Sequence, residues 1–402
     1  MRTLVFTPQH SGHRLQFAAE LTNGLTDAGM DVVFAVSKSC LGTPEAEAFV
    51  DPLPNEVTID TSLVDPKPTF GAFRKSIIQL FDLAETRNCN HVFIPTGDGL
   101  AQTAATIPNA WAKRRSIVSE LIMLRGSLAY AENWKQKLTG TISQRLLNLA
   151  PWHIYHLLDP LVFDSVAATN SSLAKRCRVV PEPVEPFRPF DYHEACDLLQ
   201  LPNDRKFIGC AGRLDSRKGI QFLLRAFAKA KCNAETTLLL AGKTTDEISR
   251  QIREEHQHLI DSKKIIIIDR FISQRELEAM LSVLDLICVP YPRHIGSSGI
   301  LVRAAQMKKR VLASDWGWVG WATKTFRLGS TCNVSRVDEF ASAIEKEDGQ
   351  QQTDWPRQAE LFSEFHSVSN YQAHLTSHIR ERSGLEQDSR IVPWQRIKDE
   401  LC

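Results

Sequence analysis

The stretch Gly212-Arg213-Leu214-Asp215-Ser216-Arg217-Lys218-Gly219 decides how this chain is read. An apolar run at 206–211 precedes it and has the length of a buried strand. Ile220, Leu223, Leu224 and Phe227 follow at the i, i+3, i+4, i+7 spacing of an amphipathic helix. Strand, glycine-opened turn and helix make the repeating unit of an open parallel sheet, whose ligands collect at the carboxyl ends of the strands. Gly212 allows the sharp turn there. Arg213 then lies on the ligand side. Lys218 falls at the start of the next helix, where the helix dipole disfavours a cation unless an anion offsets it. A planar guanidinium fork and a point-charge ammonium together suit a diphosphate. Two solvated cations on a loop are the other reading of the same residues.

Working outward, segments 236–241, 264–268, 286–290 and 310–314 read as further strands, with helices over 273–284 and 299–308. The first half repeats the rhythm, with strands expected at 3–7, 31–36, 91–94 and 117–119. Leu15, Ala18, Leu21 and Leu25 mark one helix; Phe70, Phe73, Ile77, Leu80, Phe81 and Ala84 mark another. Strands alternating with helices predict α/β architecture with parallel sheets. Pro181, Pro183, Pro186 and Pro189 stiffen the stretch between the halves, which is the best linker. The expected domains are 1–185 and 186–375, followed by a polar tail over 376–402.

Length and composition bound the function classes. A chain of 402 residues suggests two or three domains, and 43% hydrophobic with 24% charged residues suits an ordinary globular protein. A net charge of +1 argues against a broad electrostatic hold on nucleic acid. The nine cysteines include no Cys-x-x-Cys pair, which argues against zinc ribbons and disulfide scaffolds. No run of 18 apolar residues and no secretory leader pattern is seen, so a cytoplasmic protein is expected.

Several apparent motifs fail on spacing. Ala241-Gly242-Lys243-Thr244 lacks the earlier glycine of a Walker A loop, since Thr237 stands at that position. Gly209 and Gly212 lack dinucleotide-fingerprint spacing. No His-Glu-x-x-His and no Gly-x-Ser-x-Gly occurs.

A second anion signal is Gly296-Ser297-Ser298-Gly299, at the mouth of a helix that carries Arg303. Backbone N–H groups and the helix dipole make such a loop an anion site; a Ser N-cap with flexible glycines is the plainer reading. Gln9-His10-Ser11-Gly12-His13 occupies the first strand–helix loop. His13 there either donates to a phosphate or sugar hydroxyl or caps the helix. Asp98, in Pro95-Thr96-Gly97-Asp98-Gly99, either accepts from ligand hydroxyls or caps a helix. Trp316, Trp318 and Trp321 either stack on a ligand or fill a corner of the core. In 125–158, Trp134, Leu138, Ile142, Leu146 and Leu149 share a helical face beside Arg125, Lys135, Lys137 and Arg145. Packing against the first sheet is the favoured reading and peripheral contact with an anionic membrane the other.

Taken together, 212–219, 296–299 and Val311-Leu312-Ala313-Ser314-Asp315 resemble the C-terminal half of group 1 glycosyltransferases (family 4). Val179-Val180-Pro181-Glu182-Pro183-Val184-Glu185 resembles the segment that enters that half, and Ser11-Gly12-His13 is compatible with the family. The resemblance covers about 1–375 in organisation and 179–320 in motif detail. It implies the GT-B fold: two Rossmann-like α/β domains facing each other across a cleft. It implies retaining sugar transfer from a nucleoside-diphosphate sugar to a glycan, lipid-linked or small-molecule hydroxyl, an activity of hexosyltransferase type. Arg213 and Lys218, with His13, are the implied catalytic residues. Gly12, Gly212, Gly296, Ser297, Ser298, Gly299 and Arg303 are the implied donor-binding set, and Asp98 and Glu120 the acceptor side. Glu120 stands where many relatives carry His; it either binds hydroxyls or caps the following segment. No cofactor and no obligatory metal are implied. The family's two Glu, eight positions apart, are replaced by Ile295 and Arg303. Arg303 cannot accept from a ribose hydroxyl; it either adds a third cation or pairs with an internal acid. That departure keeps open a non-catalytic GT-B module that binds nucleotide or glycan, and a GT-B nucleotide-sugar epimerase. Oligomeric state is not indicated.

Overall fold

The computed structural model describes residues 1–9, 14–64, 69–107, 116–124, 127–348 and 355–401. The chain forms two compact units. The first comprises Met1–Pro183, Ile295–Ser297 and Ser367–Trp394; the second comprises Val184–His294, Ser298–His366 and Gln395–Cys402.

The first unit holds seven strands: β1 (Arg2–Thr7), β2 (Asp31–Ser37), β3 (Thr58–Leu63), β4 (His91–Ile94), β5 (Val118–Met123), β6 (Ile154–Leu157) and β7 (Cys177–Val179). Their order is β3-β2-β1-β4-β5-β6-β7 and every pairing is parallel. The second unit holds β8 (Lys206–Ala211), β9 (Thr236–Ala241), β10 (Ile265–Ile268), β11 (Leu284–Val289), β12 (Arg310–Ser314) and β13 (Gly329–Cys332). These run in the order β10-β9-β8-β11-β12-β13, again all parallel. Each sheet starts at an inner strand and winds outward both ways, which is the doubly wound arrangement of nucleotide-binding α/β domains.

The first sheet is buried on both faces, so its inner strands are mostly apolar, with Thr3, His91, Ser119, Glu120 and His156 among the buried polar exceptions. Successive side chains of a strand point to opposite faces. Leu4, Phe6, Val33 and Ala35 accordingly pack with Ile77, Leu80 and Phe81 of the helix Phe70–Thr86. Val5, Val32, Phe34 and Val36 pack with Leu15, Ala18, Leu21 and Leu25 of the helix Arg14–Asp27.

The expected bound at 375 and the separate tail over 376–402 are corrected together, since Ser367–Trp394 groups with the first unit. Tyr371, Leu375 and Ile379 are fully buried on the helix Val368–Arg382 and belong to the same cluster as Leu15 and Leu21. Their i, i+4, i+8 spacing is a helical stripe embedded in otherwise polar sequence. The Tyr371 hydroxyl donates to Phe17 O at 3.1 Å, and Gln372 Nε2 donates to Glu20 Oε2 at 3.1 Å. A Cβ on Gly24 would lie 2.9 Å from Gln372 Cβ, so the two helices meet closely there. The segment from Ser367 thus belongs to the first unit, and Ile397, in the final helix Trp394–Leu401, is also fully buried.

Glu120 is a second correction. It is fully buried on β5, and neither binds an exposed hydroxyl nor caps a helix. Its Oε1 accepts from His91 Nε2 at 3.2 Å and His378 Nδ1 at 2.7 Å; Oε2 accepts from His156 Nε2 at 2.7 Å. Burial alone would raise this carboxyl. The hydrogen bonds from His156, His378 and His91 outweigh it and hold the group well below the usual carboxylate range. The cluster ties β4, β5 and β6 to the returning C-terminal helix. Removing one partner of a buried, hydrogen-bonded charge cluster costs about 3 kcal/mol, so Glu120→Ala is expected to lose that much in urea unfolding at pH 7. Because the folded pKa is depressed, the carboxylate's contribution is complete above its unfolded pKa, about 4.3. It fades as pH falls below that value toward the folded one. The gap between wild type and Glu120→Ala should narrow over that acid range, and a constant gap would refute the assignment.

Candidate functional site

Within the second unit, the loops that leave β8, β9 and β11 meet at the carboxyl ends of the strands. Gly212 N donates to Ala241 O at 2.9 Å, Leu214 N to Lys243 O at 2.9 Å, and Thr245 N to Leu214 O at 3.2 Å. The β8 and β9 exits are therefore paired beyond the sheet itself. A Cβ on Gly242 would lie 1.9 Å from Gly212 O. Gly219 has φ +69°, and a Cβ there would lie 2.1 Å from Pro290 O, on the loop after β11. Only glycine fits such a conformation and approach.

This frame sets the two cations. Asp215 caps the turn Ser216–Lys218, with Oδ1 accepting from Lys218 N at 3.2 Å. The Lys218 chain folds back so that Nζ donates to Ala211 O at 2.6 Å, at the last residue of β8. The same ammonium lies 5.5 Å from the centre of the Tyr291 ring, and a Cβ on Gly212 would come within 2.5 Å of it. An ammonium carries three donors, and Ala211 O takes one. Burial pulls the Lys218 ammonium below its ordinary pKa, an effect that a bound anion would reverse. Arg213 points outward with its side chain 73% exposed; Nε is 3.9 Å from Asp215 Oδ2. Arg217 Nη2 is 3.6 Å from the same oxygen. Asp215 thus positions the whole cationic turn. The turn is a short 3₁₀ segment with Gly219 between it and the helix Ile220–Lys229, so Lys218 precedes that helix instead of starting it.

The second loop is divided. Gly296, at φ +106°, and Ser297 group with the first unit. Ser298 and Gly299 open the helix Gly299–Gln306 of the second unit. Ser298 is buried and forms no side-chain cap, although its carbonyl accepts from Leu301 N at 3.0 Å. Arg303 is buried on this helix, with Nη2 3.5 Å from Gln274 Oε1.

Tyr291 is a site residue that sequence reasoning missed. It follows β11, is buried against the Lys218 ammonium, and has its hydroxyl beside Ser298. Burial raises its phenol well above the ordinary range, which keeps it a neutral donor. Its signal was available in sequence only as a tyrosine just past a strand.

Other expected residues fall elsewhere. Gly12 and His13 lie outside the described residues. Asp98 is the first residue of the helix Asp98–Thr103 in the first unit; its Oδ2 accepts from Leu124 N at 3.3 Å, tying that helix to the end of β5. Trp318 is core, 5.8 Å from the Phe362 ring and 5.9 Å from His366. A cavity of about 500 Å³ opens beside edge strand β3, lined by Asp60, Gln79 and Arg87 among others. The Asp60 carboxylate is already engaged, since Arg87 Nε donates to Asp60 Oδ2 at 2.8 Å and Ser62 Oγ to Oδ1 at 2.6 Å. No grouping of His, Cys, Asp and Glu suited to a metal occurs among the described residues.

Residues 205–346 match the family model of glycosyl transferases group 1, a span that contains β8 to β13 and the cationic turn. No curated protein matches the chain. Solved structures do. Sucrose-phosphate synthase from Thermosynechococcus elongatus is 14% identical with TM-score 0.69, covering 95% of this chain and 99% of its own. Anabaena HepE in complex with UDP is 13% identical with TM-score 0.67, covering 95% and 99%. A trehalose 6-phosphate synthase from Burkholderia multivorans is 12% identical with TM-score 0.67, covering 96% and 99%. The fold is GT-B, shared over nearly the full length, and the second unit carries the group 1 glycosyl transferase pattern.

The close approach at Gly219 makes a direct prediction. Gly219→Ala forces a methyl into Pro290 O at an unfavourable φ, and should destabilise the protein by at least about 2 kcal/mol. Urea unfolding measures it; a loss below about 0.5 kcal/mol would show that the loops can separate without consequence.

Proposed function

We propose that the chain is a retaining glycosyltransferase that uses a nucleoside-diphosphate sugar and a hydroxyl acceptor, of hexosyltransferase type. The observation that carries this reading is the family match over 205–346, because it takes in Arg213 and Lys218 at the ligand end of β8. HepE, a structural neighbour, binds UDP and UDP-glucose, which supports a nucleotide-sugar donor. The eight described cysteines are free thiols, in keeping with a reducing compartment.

In this reading the Lys218 ammonium and the Arg213 fork bind the diphosphate, and the N–H groups at Ser298–Gly299 add dipolar stabilisation. The acceptor oxygen bonds to the anomeric carbon as the bond from that carbon to the diphosphate oxygen breaks. The bonding pair leaves with the diphosphate, which takes the proton from the acceptor hydroxyl. Arg213 and Lys218 stabilise the charge that grows on the leaving group. Their charge lets the reaction proceed in this scheme without a metal. Arg303 serves the donor side from the helix Gly299–Gln306, Gly12, Gly212, Gly296 and Ser297 belong to the same donor set, and His13 is the third catalytic residue of the scheme. Asp98 is the remaining acceptor-side residue.

Ile295 and Arg303, in place of two carboxylates, favour one second reading: a module that binds nucleotide without transferring sugar. Calorimetry with UDP, GDP and ADP separates the cases. We expect one nucleotide to bind preferentially, and Arg213→Ala to weaken it about tenfold to a hundredfold with unchanged unfolding, since that side chain is exposed. Lys218→Ala should weaken it similarly. Binding followed by sugar transfer from the matching nucleotide sugar supports the enzyme. Binding with no transfer to any acceptor and no hydrolysis favours the module, and isomerised nucleotide sugar without acceptor would favour an epimerase. No binding by folded protein would overturn the site.

A further inference from the structure

The helix Trp134–Leu149 inverts the usual arrangement of a surface helix. Asn133 caps its start, with Oδ1 accepting from Gln136 N at 3.0 Å. Arg176 closes its end, Nη1 donating to Ala150 O and Trp152 O at 2.9 Å and Nη2 to Leu147 O and Asn148 O at 2.9 Å. Leu147 is its one buried residue. Trp134, Leu138, Ile142 and Leu149 are 69%, 54%, 49% and 74% exposed. The expected packing of this face against the first sheet is therefore corrected: the helix packs through its opposite side. The later residues of that stretch do enter the core, with Trp152 and Tyr155 buried.

At about 100° per residue, Trp134, Leu138, Leu149 and Ile142 fall within an arc of about 80°, and Leu147 lies about 180° from its centre. The apolar stripe thus points directly away from the protein. Arg145 falls inside the arc, and Lys135 and Lys137 flank it. The Lys135 ammonium lies 5.7 Å from the Trp134 ring centre. The helix contains no Asp or Glu, although the whole chain has a net charge of only +1. No described helix is long and apolar enough to cross a membrane.

We propose that this face docks on an anionic phospholipid surface, lying in the interface with the stripe at the headgroup–acyl boundary. Three features select that partner. Large apolar side chains stand exposed on a helix whose mean hydropathy is low, as in an interfacial helix. All its charges are cations, complementary to anionic headgroups. A tryptophan stands at one end, where an amphipathic ring is favoured at a membrane surface. The inference goes beyond the proposed glycosyl transfer and does not depend on it.

The test is co-sedimentation of the full chain with vesicles of phosphatidylcholine alone and with about one third phosphatidylglycerol, at low and high salt. We expect binding only to the anionic vesicles, weakening with salt. Trp134→Ser/Leu138→Ser/Ile142→Ser should reduce partition about a hundredfold, and Lys135→Gln/Lys137→Gln/Arg145→Gln should do so comparably. Both variants alter exposed positions and should keep the wild-type melting temperature and nucleotide affinity. Absence of binding by wild type, or equal binding by the triple serine variant, overturns the proposal. A wild-type dimer in size-exclusion chromatography that the serine variant abolishes, with no vesicle binding, assigns the stripe to a second copy of the chain instead.

Discussion

Backbone-to-backbone contact at the carboxyl ends of β8, β9 and β11 is the constraint from which the candidate site follows. Two positions, Gly219 and Gly242, have carbonyl oxygens where a side chain would begin. That closeness lets the loops share hydrogen bonds past the end of the sheet, so the turn Ser216–Lys218 is held by its neighbours. Lys218 then lies over the last carbonyl of β8 and against Tyr291, with its charge disfavoured by burial. Such an ammonium is poised for an anion, because an anion supplies the compensation that solvent would otherwise provide. Arg213, exposed and 3.9 Å from Asp215, sets a second charge at the same strand end.

The first unit is organised by a different constraint. A carboxylate in the middle of a sheet must be satisfied completely, since each unpaired oxygen would carry a large desolvation cost. Glu120 meets that requirement with three imidazoles, two from neighbouring strands and one from a helix more than 250 positions later. The return of the C-terminal segment is therefore chemically specific as well as apolar: Tyr371, Leu375 and Ile379 give the area, and His378 gives the register. The same unit leaves the stripe on Trp134–Leu149 outside, because Leu147 and the Arg176 cap fix the other face of that helix inward.

The α/β class, most inner strands and the cationic turn could be read from the chain before any fold was known. These are local signals: continuous apolar runs, helical periodicity and glycine at a strand's end need no partner to be read. Strands β3, β6, β7 and β13 escaped, being short or, at the edges of the sheets, only partly apolar. Packing of distant segments settles which charged and aromatic residues face solvent and which face one another. Glu120 read as a hydroxyl ligand or a cap because nothing local reveals three distant histidines, and Tyr291 carried no local sign that the Lys218 ammonium lies against its ring. The stripe of Trp134, Leu138 and Ile142 looked like core because periodicity shows that a helix has an apolar side, whereas only packing shows which side turns inward.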